Sequence, residues 1–280
     1  MTSFDKHTTE QLETMLEAGF EVLESHYVLA KTGDTIVGEL LPEDEEFHEW
    51  NHCPPGDIID KDTHSQFYYH AHRDGEHGHF HLFMRKDGMP EDCRPVDRPE
   101  AEYLKDEGVI MCHLVAISMD EHGIPIRLFT TNRWLTDEYW YRAKDISAML
   151  DDFSIEQAKP SWPVNRWVTA MVRLFRPQIE QILLERDALV AKLLKEQWQE
   201  ELFEDRDRGI LTEIEISVDD HMTALKKALA ARRRKESRKT QSDRAGNSSR
   251  PVRAQTGGSR KRKPRARRIK ASSRAAPAQT

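Results

Sequence analysis

QFYYHAHRDGEHGHFHLFMR, Gln66–Arg85, is the stretch on which the fold turns. Phe67–His72 and His77–Met84 are rich in aromatic and apolar residues, and Asp74-Gly75 stands between them. Asp-Gly at the centre of a two-residue loop suits a type I′ turn, whose two central residues both take φ > 0. The spacing predicts a β-hairpin in which Arg73 faces Glu76, His72 faces His77, His70 faces His79 and Tyr68 faces His81. Side chains alternate along a strand, so Tyr68, His70, His72, His77, His79 and His81 share one face. Phe67, Tyr69, Ala71, Gly78, Phe80, Leu82 and Met84 share the other. One face is a core face and the other a plate of imidazoles.

The flanking chain supplies layers for that core face. Leu12, Met15, Leu16, Phe20, Leu23 and Tyr27 recur at spacings of three and four, which predicts a helix from Thr8 to about Ala30. Thr8 and Gln11 form a candidate capping box. Residues 31–65 read as irregular, punctuated by Pro42, Pro54, Pro55 and Gly56. After the hairpin comes a loop over 87–99 and a short helix over 101–107 that Gly108 ends. Val109–Ser118, a turn at Asp120–Gly123, and Ile124–Thr131 then make a second hairpin. From Thr136 the pattern becomes helical, with Tyr139, Trp140, Ala143, Ile146, Met149 and Leu150 as its apolar stripe. Pro163 starts another helix, and Pro177 restarts it as a long amphipathic helix over Gln178 to Glu204. Glu213–Val218 alternates like a half-buried strand, and Asp219 or Asp220 caps a last helix running into Ala228–Arg234. The fold class is α+β. A small antiparallel sheet, two hairpins plus a later strand, packs against several helices in one domain over residues 6–230.

Charge divides the chain at its end. Residues 226–280 hold 20 Lys+Arg and 2 Asp+Glu, whereas residues 1–225 hold 22 and 47, so an overall net charge of −7 hides a body of −25 and a tail of +18. Residues 231–280 have almost nothing to bury and read as a disordered basic tail. Arg260–Lys270 (RKRKPRARRIK) is dense enough to attract a phosphate backbone, which makes nucleic acid the candidate partner of residues 231–280. No aromatics interleave, so base stacking and sequence preference are not expected. Folding back on the acidic body and a plain solubility tail are the competing readings. Three cysteines, Cys53, Cys93 and Cys112, none at CxxC spacing, argue against a disulfide framework. No signal peptide precedes the helix, and no run approaches the roughly 18–20 apolar residues that cross a bilayer. The expected location is cytoplasmic, with no membrane partner.

Eight of the thirteen histidines fall between residues 48 and 81. Neutral imidazole is the commonest protein ligand for transition metals. Opposed residues on paired strands have Cβ atoms about 4.5–5.5 Å apart, so His70/His79 and His72/His77 are close enough to converge on one ion. The candidate ligands are therefore His70, His72, His77 and His79, the candidate ion zinc or iron, and Glu76 the candidate acid/base. His81 lies on the same face, and His113, His48, His52 or His64 are further sources of a ligand. The loop Trp50–Asp60 is a candidate lid, and Thr130–Arg133 a candidate anion contact or an ordinary strand-to-helix cap. A metal-free pocket, a structural imidazole layer, and a solvated His-rich face remain alternatives. No phosphate loop and no nucleophile signature appears.

His70-Ala-His72, three residues and Glu76 resemble the HxHx₃E core of a cupin metal motif. The glycine expected six residues earlier is His64, and no second histidine motif follows. WNHCPPGDIID and FYYHAHRDGEHGHFHLF, continued by HLVAISMDEHGIPIRLFTTNRW, resemble an uncharacterised bacterial domain-of-unknown-function family over roughly residues 45–140. That resemblance implies no activity, cofactor or catalytic residue. The functional expectation is a metal-binding protein, extending to a metal-dependent enzyme. Its alternative is a nonenzymatic nucleic-acid-associated protein acting through the tail.

Overall fold

Six antiparallel strands cross one open sheet in chain order: β1 (Cys53–Ile59), β2 (Ser65–His70), β3 (Gly78–Arg85), β4 (Met111–Met119), β5 (Pro125–Thr131) and β6 (Ile210–Glu215). The computed structural model describes residues 4–41, 51–73, 75–97 and 108–248. Seven helices accompany the sheet among those residues: α1 (Thr9–Ala30), α2 (Arg133–Thr136), α3 (Ala143–Asp152), α4 (Trp162–Leu174), α5 (Arg176–Leu193), α6 (Gln199–Phe203) and α7 (Val218–Ser248). The class is α+β. The chain divides into two compact units, Met1–Glu236 and Ser237–Thr280, so the first unit extends beyond residue 230.

Both hairpins form. In the first, Tyr68 pairs with His81 and His70 with His79, the register that the Asp-Gly spacing predicts. The ladder stops there, with β2 ending at His70 and β3 starting at Gly78. His72 and His77 therefore do not face each other as strand partners. The His77 N–H instead donates to the Met119 carbonyl at 2.8 Å. Gly75 has φ +84, the left-handed region that glycine enters without a Cβ penalty. Asp74 lies outside the described residues, as do residues 42–50 and the short helix expected over 101–107.

The alternation buries one sheet face as expected. Phe67, Tyr69, Phe80, Leu82, Met84, Leu114 and Ile117 join Val22, Leu29, Trp167 and Met171 of α1 and α4 in one apolar cluster. Trp167 is fully buried, with its ring 5.2 Å from that of Phe80. α1 lies along α4, held by Trp167 Nε1–H donating to His26 at 3.1 Å and by Arg166 with Glu21 at 2.6 Å. The Thr8/Gln11 capping box starts α1 as predicted. Gly19 lets α7 approach closely, since a Cβ there would stand 1.9 Å from Met222 Sδ.

The departures have local causes. Cys53–Ile59 is a strand rather than a loop. It is an edge strand, where Pro54 and Pro55 need no N–H, and its pairing shifts between Cys53 and Ile58. The expected helix from Thr136 starts only at Ala143. Asn132 caps α2, Asp137 ends it at φ 48, and the Tyr139 N–H pairs with the Met111 carbonyl. Tyr139, Trp140 and Tyr141 are consecutive and all buried, which an extended segment packed on both sides achieves and a one-sided helix does not. The long helix from Gln178 breaks after Leu193 and resumes as α6. β6 begins three residues before the expected strand and ends before Val218. Ser217, not Asp219 or Asp220, caps α7 by accepting from the Asp220 N–H at 3.2 Å. α7 runs on to Ser248, past the start of the tail at 231.

Candidate metal centre

The plate is built on the ends of β2 and β3. His70 and His79, paired across the ladder, bring their Nε2 atoms to 2.8 Å. His72, just beyond β2, closes the group, its ring centroid 4.7 Å from that of His70 and 5.0 Å from that of His79. One nitrogen from each of His70, His72 and His79 lies within 4.8 Å of the others, a set that could hold a metal ion. Ligand nitrogens about 2.0–2.1 Å from a tetrahedral zinc are roughly 3.3 Å apart, so this set would need only side-chain shifts to match such a shell. His70 and His79 are buried and His72 is half-buried, which places the approach on the His72 side.

Glu76 stands behind His79. Its carboxylate accepts from His79 Nδ1, and its side chain is wholly buried, with Arg73 Nη1 3.5 Å away. Burial alone would raise the Glu76 carboxyl, but the hydrogen bond from His79 and the nearby charges hold it below the usual carboxylate range. An ionised Glu76 fixes His79 as the Nδ1–H tautomer and leaves the Nε2 lone pair facing His70 and His72. A carboxylate on the far nitrogen is the usual way that a metal-binding imidazole is oriented. Glu76 thus holds the His79 ring from its Nδ1 side.

Burial favours the neutral form of His70 and His72. Burial, then the neighbouring His79, His72 and His52, lower His70 to about 2. Burial and His79 lower His72 as well. A neutral imidazole offers a lone pair, which a metal needs and a protonated ring lacks.

His77 is not brought to the plate. Its Nδ1 lies 2.7 Å from the Tyr69 hydroxyl, and Tyr69 belongs to the core face. Alternation governs only residues inside a ladder, and His77 precedes β3. Gly78 makes this turn-off possible: a Cβ there would meet Tyr69 Oη at 2.3 Å and the His70 carbonyl at 2.7 Å.

β1 and the residue that leads into it cover one flank. His52 stacks on Tyr68 with centroids 3.6 Å apart and planes 7° apart, while its Nδ1 meets Asp57 Oδ1 at 2.8 Å. Asp57 Oδ2 in turn accepts from Gln66 Nε2 at 2.6 Å. Asp60 works elsewhere, accepting from the N–H groups of Asp62 and Thr63 in the β1–β2 turn and from that of Glu156 after α3. His64 sits in that turn at φ 59, and His48 lies outside the described residues. Thr130, Asn132 and Arg133 are engaged within the chain, with Thr212, Leu202 and Glu204, as a strand-to-helix connection.

The residue that sequence reasoning left out of the ligand set is His81. It is fully buried, in ring contact with His70 and His79 at 5.1 and 4.8 Å. Its Nδ1 lies 2.9 Å from His113 Nε2, and His113 Nδ1 lies 3.1 Å from Thr131 Oγ1. Burial first pushes both rings down, His113, beside the Arg186 charge, to about 3. The strand alternation had already put His81 on this face. The strand β4 that brings His113 beside it was legible, but its register against β3 was not. A cavity of about 550 Å³ lies elsewhere, lined by Phe4, Phe175, Gln178, Ile216 and His221 among others, and touches none of these rings.

A family model described as "Domain of unknown function (DUF6969)" matches residues 16–216, from within α1 to just beyond β6. The chain belongs to the DUF6969 family. The match is wider than the span over which the signatures are recognisable by eye, and it takes in all six strands. No curated protein and no solved structure matches the chain. The DUF6969 region thus contains the whole histidine cluster, together with the helices that back the sheet.

Proposed function

We propose that this DUF6969 protein binds a divalent transition metal, zinc in preference to iron, on His70, His72 and His79, with Glu76 orienting His79. The observation that carries the reading is the convergence of three nitrogens, from β2, the residue two past it and β3, one ring held by a buried carboxylate. Three neutral nitrogens without a carboxylate ligand suit zinc, whereas non-haem iron favours two histidines and a carboxylate. A three-histidine shell leaves one position for water or substrate, as catalytic zinc sites do. Metal-assisted chemistry at that position is the extension of the reading. The three cysteines, all buried and unbridged, support a reducing, cytoplasmic setting.

Metal analysis of protein purified without a histidine tag tests it. Near-stoichiometric zinc, lost in His70→Ala and His79→Ala and kept in His77→Ala, is the expected result. A folded, metal-free protein that takes up no added zinc would overturn the reading.

A second reading concerns the tail. Arg234 and Arg238, one turn apart on α7, are exposed, while Arg232 and Arg233 are tied to the Asp5 carbonyl and to Glu13. The sequence beyond Arg238 carries many further Lys and Arg residues, the chemistry of a nonspecific nucleic-acid contact. Truncation after Glu236 leaves the tethered arginines in place and is expected to abolish low-salt binding to DNA or RNA. Undiminished binding would sink this reading.

A further inference from the structure

Beyond the three ligands, we infer that His81 donates a hydrogen bond from Nε2 to the oxygen ligand completing the metal's shell, and so makes the open position a receptor for a small oxyanion. The inference rests on the metal-binding reading of His70, His72 and His79. Its own observation is an orphaned atom: His81 Nε2 is buried and has no hydrogen-bond partner among the described residues. A buried ring nitrogen left unpaired is costly, so such an atom marks a missing partner.

Direction follows from the ring. His81 Nδ1 is turned to His113 on β4. The two nitrogens of an imidazole diverge widely, so Nε2 points away from β4, to the side where Tyr68, His70 and the site lie. His81 pairs with Tyr68 across the ladder, and its ring lies 5.1 Å from that of His70. Yet His81 is not one of the set whose nitrogens all approach within 4.8 Å. A fourth metal ligand would belong to that set. A group that binds the metal's exchangeable ligand belongs one bond further out, at roughly the 2 Å metal–oxygen distance plus a hydrogen bond of about 2.8 Å.

The polarity of the chain makes Nε2 the donor. The Thr131 hydroxyl can give its proton to His113 Nδ1, 3.1 Å away. His113 then carries its hydrogen on Nε2 and donates to His81 Nδ1. His81 in turn carries its hydrogen on Nε2, facing the site. Each neutral ring has one N–H, so one orientation at Thr131 sets both tautomers. An N–H aimed at a metal-held oxygen favours an anionic oxygen over a neutral one. The ligand class is therefore a small oxyanion such as a carboxylate.

The test uses full-length protein loaded with cobalt(II) in place of zinc, with acetate as the probe and the visible cobalt spectrum as the readout. Wild type is expected to show a saturable spectral change with acetate. His81→Phe should keep the metal at unchanged stoichiometry but weaken acetate by at least roughly tenfold, the loss of one charge-assisted hydrogen bond. Thr131→Val, a near-isosteric change that removes the terminal donor, should weaken acetate severalfold and remains informative if His81→Phe does not fold. His81→Gln, which keeps an N–H donor, should recover part of the affinity. Unchanged acetate affinity in Thr131→Val and in a folded His81→Phe would overturn the inference and leave the metal reading standing. Loss of metal from His81→Phe would overturn it by making His81 a ligand. A wild type that binds no cobalt would overturn both.

Discussion

Glu76 and His79 form the pair on which the site's chemistry depends. Removing the charge while keeping the shape, Glu76→Gln, leaves His79 free to adopt the other tautomer. Metal affinity is expected to fall about 10–100-fold while the fold survives, as competition with a chromogenic chelator would show. At the same scale, His221 gives a pH dependence remote from the plate. Its Nε2 faces the Leu174 carbonyl at 2.9 Å, its Nδ1 meets Gln178 Nε2 at 2.7 Å, and burial lowers it from 6.5 to about 4. Its stabilising effect is whole above the unfolded value of 6.5. It is lost as pH falls toward 4, because only the unfolded chain takes up the proton in that window. The slope is about 1.4 kcal/mol per pH unit for one such group. Urea unfolding at pH 7.5 and 5 is expected to show a less stable wild type at the lower pH, and a smaller difference in His221→Gln.

The elements were legible where a residue pattern alone determined them. Alternation through Tyr68, His70, His79 and His81 placed β2, β3 and their register correctly, and Thr8 with Gln11 placed the start of α1. It failed where the ladder ended, because His72 and His77 lie outside it and follow the loop instead. β1 was hidden by Pro54 and Pro55, which are tolerated only because the strand is an edge. The non-helical run Tyr139–Tyr141 was hidden because burial on two sides looks, in sequence, like a dense apolar stripe. Gly78 is the element-scale test of the site. Ala at 78 places a Cβ against the His70 carbonyl, which cannot rotate away. Overpacking of this kind costs about 1–3 kcal/mol, so Gly78→Ala should melt earlier and bind metal more weakly than wild type in parallel calorimetry and zinc titration.

For the molecule as a whole, a ligand that binds only the folded chain stabilises it by mass action. The three nitrogens come from β2, the residue two past it and β3, and are not assembled in the unfolded state. Zinc at about 100 times its Kd should therefore add about 2.7 kcal/mol, which for a domain of this size raises Tm by roughly 5–10 °C. The same addition to the His70→Ala/His79→Ala double variant should leave Tm unchanged.

The strand order β1 to β6 has a kinetic consequence. Five of the strands are neighbours in sequence as well as in space, so their pairing closes short or moderate loops. β6 joins β5 only after the chain has run from Asn132 to Gly209 through five helices. That closure is the costliest in the sheet, and contacts of long sequence separation slow folding. The histidine cluster rests on β2, β3 and β4, all on the early side of that step. The histidine cluster can therefore assemble before the last strand docks, and, if it binds zinc as proposed, zinc present during refolding would speed the early phase rather than the late one.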